Sequence, residues 1–109
     1  MPQLLSQFDL KPRVQRARFD LAWAEFIAYL VDNDLAVSGG PIFSRQPDSG
    51  YDTDTERSHR LMAVICFRNQ AQADAAWAAI EAETAPLSIL HRRVFGLVHD
   101  PVFTFWSEG

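Results

Sequence analysis

The stretch LMAVICF, residues 61 to 67, constrains this chain more than any other, because every position in it is apolar. Alternate side chains of a strand point to opposite faces. Leu61, Ala63, Ile65 and Phe67 therefore share one side, and Met62, Val64 and Cys66 share the other. An antiparallel strand in a small protein usually gives one side to water. This one asks for cover on both. At 109 residues the chain forms one domain, 1–109, with a single modest core. We expect that core over about residues 3–98, followed by an aromatic tail at 101–107.

The flanking sequence supplies the rest of the framework. PQLLSQFDL reads as a first strand, with Leu4, Phe8 and Leu10 on one side and Leu5, Gln7 and Asp9 on the other. Pro12 suits the opening turn of a helix. From Arg13 to about Asp32, a spacing of 100° per residue gathers Phe19, Trp23, Phe26, Ile27 and Leu30 into one stripe. LAVSGGPIFSR is a second strand, and its Gly39, Gly40 and Pro41 place it at a sheet edge. QPDSGYDTDTERS is polar and acidic, an exposed loop leading to the third strand, LMAVICF. NQAQADAAWAAIEAE is a second helix, with Ala73, Ala76, Trp77 and Ile80 on one face. LSILHRRVFGLVH is expected as a fourth strand, and PVFTFW as a short fifth one.

This order is β-α-β-β-α-β. Two helices with one apolar face each cover one side of a four-stranded sheet. Right-handed crossovers put both helices on that side. The expected fold is α+β: a ferredoxin-like sandwich with antiparallel strand order 4-1-3-2 and a short C-terminal strand. The helices take one set of side chains from LMAVICF. The other set, left open with its neighbours, makes a patch at the limit of what monomers expose. A second copy of the sheet, packed face to face across a two-fold axis, is the economical cover. Met62, Val64 and Cys66, with Phe103 and Phe105 of the tail, are the expected interface.

The element order, the length and the doubly apolar strand RLMAVICF followed by the helix AQADAAWAAI resemble the dimeric α-β barrel superfamily of ferredoxin-like domains. The likeness runs over about residues 3 to 107 and is closest to that group's uncharacterised bacterial families. The resemblance implies a homodimer with a cavity between sheet and helices or between the two sheets. It implies no particular chemistry, because the group includes cofactor-free oxygenases, haem-degrading enzymes, isomerases and proteins without known activity.

Composition narrows the partners. A net charge of −4 argues against nucleic acid, which normally wants a basic face. No run of apolar residues is long enough to span a membrane. The N-terminus MPQLLSQFDLK lacks the sections of a signal peptide, and the single Cys66 makes no internal disulfide, so a cytoplasmic protein is expected. His59, His91 and His99 lack metal-ligand spacing, so no metal is expected. SGGP precedes a strand rather than a helix, so it is no phosphate loop, and no cofactor is expected.

Three constellations remain. His91 and Arg93 share one face of the expected fourth strand, and the first strand beside it offers Gln7 and Asp9. Converging in a cavity, His91 would exchange protons near neutral pH and Arg93 would hold an anionic oxygen. Otherwise Asp9 and Arg93 form a rim ion pair and His91 is structural. Gln7, Asp9 and Trp106 are the candidate ligand contacts. Lys11, Arg13, Arg16 and Arg18 crowd the start of the first helix, as an anion site or as a solvated face with an Arg16–Asp20 pair. DTDTE spaces its carboxylates like the start of a calcium loop, but Arg57 and Ala63 stand where such a loop needs glycine and glutamate. Three functions follow: a homodimer binding a small, largely apolar molecule; a cofactor-independent oxygenase or isomerase using His91 and Arg93; or a structural protein.

Overall fold

The computed structural model covers residues 1–109. Its elements are β1 (Gln3–Leu10), α1 (Arg16–Asp32), β2 (Phe43–Ser44), β3 (Leu61–Cys66), α2 (Gln70–Glu81), α3 (Leu87–Phe95) and β4 (Val98–Trp106). The sheet is antiparallel in the order β2-β3-β1-β4, the expected 4-1-3-2 arrangement read from the other edge. This is a ferredoxin-like fold. β1 is central because both its edges are taken, with Ser6 opposite Ala63 on one side and Phe103 on the other.

The alternation of β1 sorts the layers. Leu4, Ser6 and Phe8 face the helices, and so do Ala63, Ile65, Phe103 and Phe105 across the ladders. Above them α1 lays Phe19, Trp23, Phe26 and Leu30, all buried, as its 3.6-residue stripe requires. A shallower, small-sided stripe of the same helix, Ala17, Leu21, Ala24 and Ala28, stays in solvent. α2 begins at Asn69, whose side chain accepts a hydrogen bond from the Gln72 backbone N–H, a standard N-cap. The shortest dimension of the molecule is 19 Å, room for one sheet and one layer of helices. Leu5, Val64, Val102 and Trp106 thus lie on an outer surface.

Three expectations need correction. Helix α1 begins at Arg16, with Gln15 as its N-cap, so Pro12 lies in the turn before the helix. Residues 87–95 form a helix, and the fourth strand is the aromatic tail itself, extended back to Val98. The fold therefore has one four-stranded sheet and three helices, with no fifth strand. Leu87, Leu90 and Val94 recur at helical spacing, and Leu87 and Val94 seal the core. Arg92 and Arg93 sit in the last turn, where cations favour the helix dipole. The second strand is also shorter than expected. Gly39-Gly40-Pro41 divides it into one bridge, Ser38 to Cys66, and the two-residue β2, though its edge position holds.

Gly39 has a steric role. The Trp23 indole N–H donates to its carbonyl, which holds this connection against α1. A Cβ at Gly39 would press into Ile27 Cδ1 and lie 2.6 Å from its Cγ1. Gly39→Ala is expected to cost about 1–3 kcal/mol, as overpacked sites do, and a urea melt reads the loss directly.

Candidate functional site

Between the helix-facing side of the sheet and the three helices lies a cavity of about 400 Å³. Of its 17 lining residues, 13 are hydrophobic. Leu4, Ser6, Ile65, Phe103 and Phe105 form the floor. Trp23 and Phe26 come from α1, and His91 and Phe95 from α3. The volume survives because α2 presents Ala73 and Ala76 where larger side chains would fill it. Trp77 stands at the mouth, 63% exposed, with Phe103 and Phe105 half exposed nearby. Gln70 donates to Asp74 at 2.9 Å on the same rim.

His91 is the cavity's titratable base. Its ring packs edge-on against Phe26 at 5.8 Å and lies 4.7 Å from the Phe95 ring. Burial among these apolar groups pushes its pKa below the ordinary 6.5, so the imidazole is neutral at pH 7. The folded state then binds fewer protons than the unfolded chain as pH falls through that region. This contribution to stability is present above about pH 6.5 and is lost as pH falls toward the lower folded value. We expect a parent-minus-His91→Gln melting-temperature difference that shrinks from pH 7.5 to 5.5. A difference constant across that range would place the ring in solvent.

Arg93 does not join His91. Two residues apart on a helix, the side chains diverge by about 200°. Arg93 pairs instead with Glu25 of α1 at 3.0 Å, half exposed. The expected Asp9–Arg93 rim pair is absent as well. Asp9 accepts from the Arg60 backbone N–H at 2.9 Å, beside the β1–β4 bulge. Gln7 points to the opposite sheet face, where it lines a second hollow of about 280 Å³. Trp106 is on that face too, 60% exposed, donating to Thr104 Oγ1 at 2.8 Å. Of the candidates for catalysis and ligand contact, only His91 lines the apolar cavity.

The interface candidates also divide. Met62, Val64 and Cys66 lie on the uncovered face, half-buried. Phe103 and Phe105 do not share it, because pairing with Ser6 and Leu4 turns them toward the helices. The uncovered face carries Leu5 and Val102 in their place. Phe103, Phe105 and Ser6 were legible as a cavity floor only once the β4 register was known.

The acidic loop is held from within. Arg45 clamps Asp52 with Nε at 2.6 Å and Nη2 at 2.9 Å, and also donates to the carbonyls of Asp54 and Arg57. That guanidinium keeps the Asp52 carboxyl below the usual carboxylate range. Backbone N–H groups of Arg57 and Glu56 do the same for Asp54. No group of three His, Cys, Asp or Glu side chains is placed to hold a metal ion. Arg16 and Asp20 form the expected surface pair at 2.8 Å.

No protein-family model and no curated protein sequence matches the chain. Solved structures do match it in fold. An Arabidopsis thaliana protein superposes with a TM-score of 0.77 at 4% identity, covering 100% of this chain and 96% of that one. SnoaB, a cofactor-independent oxygenase from Streptomyces nogalater, gives 0.69 at 9% identity, over 98% and 91%. A dimeric protein of unknown function and ferredoxin-like fold from Bacteroides fragilis gives 0.57 at 8% identity, over 98% and 95%. At such identities the likeness is one of fold.

Proposed function

We propose that this protein is a homodimer that binds a small, largely apolar molecule in the cavity between its sheet and its helices. The cavity itself carries this reading. At about 400 Å³ it falls within the range of ligand sites, roughly 300–1,000 Å³, with mostly apolar walls and few polar groups. A protein whose role is purely structural has no use for a void there, since filling it would add stability. Dimerisation is supported by the apolar side chains Leu5, Met62, Val64 and Val102 that surround Gln7 on the uncovered face. The Bacteroides fragilis neighbour is described as dimeric.

The neutral fluorophore N-phenyl-1-naphthylamine tests the cavity. One saturable site per chain is expected, and Ala73→Phe, which projects a ring into the void, is expected to weaken binding tenfold or more. Equal binding by a folded Ala73→Phe protein would move the site elsewhere.

A catalytic version of this reading rests on His91 alone. A neutral imidazole among apolar walls can accept a proton from a carbon acid, as a cofactor-independent oxygenase or isomerase requires. Arg93, committed to Glu25, is no longer its partner in this version. Turnover lost in His91→Gln with ligand binding retained would support it.

A further inference from the structure

Ser6 is the anomaly of the cavity. It sits in the middle of β1, between Ala63 and Phe103, with 2% of its surface accessible. Its hydroxyl has no hydrogen-bond partner in the protein. Yet its Oγ is not sealed in: His59 Nδ1 is the one unpartnered side-chain atom that protein fully encloses. What remains accessible of Ser6 includes its hydroxyl, and Ser6 lines the cavity. An unpaired hydroxyl against apolar walls costs stability unless something arrives to pair with it. Alanine there would pack the floor without that cost.

The charges of the lining bear on what arrives. No lysine or arginine lines the cavity, and its one formal charge is the Asp74 carboxylate at the rim. His91 is neutral there. An anion entering would lose its water and meet no counter-charge. An uncharged ligand meets no such penalty, and a hydroxyl or carbonyl at its buried end would satisfy Ser6.

We propose that Ser6 is a ligand-binding residue that selects uncharged apolar molecules bearing a hydroxyl or carbonyl oxygen, over hydrocarbons and over carboxylates. This deepens the cavity reading above and rests on it. The selection follows from the floor of the site: Ser6 pairs with the oxygen, the aromatic walls take the apolar body, and the Asp74 rim repels anions.

Three matched probes test it on the intact protein: 4-ethylphenol, ethylbenzene and 4-ethylbenzoate at pH 7.5, followed by amide chemical shifts and calorimetry. We expect 4-ethylphenol to bind about tenfold tighter than ethylbenzene, the scale of one hydrogen bond in an apolar surrounding. The benzoate should be weaker still. Ser6→Ala should abolish the preference for 4-ethylphenol, leave ethylbenzene bound as before or tighter, and raise the melting temperature of the free protein. Ser6→Thr, which keeps the hydroxyl, should retain the preference. If ethylbenzene binds the parent as well as 4-ethylphenol does, or Ser6→Ala keeps the preference, Ser6 selects nothing and the cavity reading still stands. Binding of none of the three probes, by contrast, removes the cavity reading and this inference with it. Tightest binding by the benzoate would overturn the charge argument alone and with it the stated ligand class.

Discussion

Val64→Asp is expected to dissociate the proposed dimer and leave a folded monomer, or to abolish soluble expression. Val64 lies on the uncovered sheet face, paired with Leu5 of β1 and flanked by Met62 and Cys66. A carboxylate buried there without a partner costs about 3–5 kcal/mol. Two-fold symmetry brings in a second carboxylate, one from each protomer, so the penalty is paid twice. Within a single protomer the position is only half-buried, so the fold can hydrate the new charge. Light scattering at micromolar concentration should read about twice the 12.3 kDa chain for the parent and one chain for the variant. Circular dichroism should show its helices retained. A soluble variant that is still dimeric and as heat-resistant as the parent would remove this face from the interface.

Phe26→Ala should lower stability by about 3–5 kcal/mol, the range for deleting a buried aromatic ring. Phe26 is 2% exposed and belongs to the main core cluster. It touches three aromatic neighbours, with ring centroids 5.9 Å from Trp23, 5.8 Å from His91 and 6.5 Å from Phe95. Its loss removes those contacts and opens the cavity further between α1 and α3. Native domains are stable by only about 5–15 kcal/mol, so the variant should sit near the edge of folding at 37 °C. Urea unfolding measures the loss. Water admitted beside His91 should also return its pKa toward 6.5, which histidine NMR can follow. A loss below about 1 kcal/mol would show that the ring does not hold the two helices together.

Much of this was legible in the residues. The two-sided strand at 61–66, the stripe Phe19-Trp23-Phe26-Leu30 and the pair Leu4 and Phe8 on one side of the first strand carry their periods openly, because each element must bury one face against its neighbour. Strand order followed from element order, since chain connectivity and crossover handedness leave few alternatives. Residues 87–95 read as a strand because LSILHRRVF fits a short apolar strand about as well as a helix. Its helical contacts become visible only when Leu87, Leu90 and Val94 meet the core together.

That single element then decided the chemistry of the site. On a strand, His91 and Arg93 would have shared one face; on α3 they part, one into the cavity and one to Glu25. The strand register decided as much. Pairing of Phe103 with Ser6 sends both tail phenylalanines under the helices and leaves the open face to Val64 and its neighbours. The sequence by itself determined which segments are apolar, with what period and in what order, because those are properties of neighbours along the chain. Only the tertiary structure decided which side chains share a space, because a one-residue change of register, or of period, moves every side chain of an element to another face.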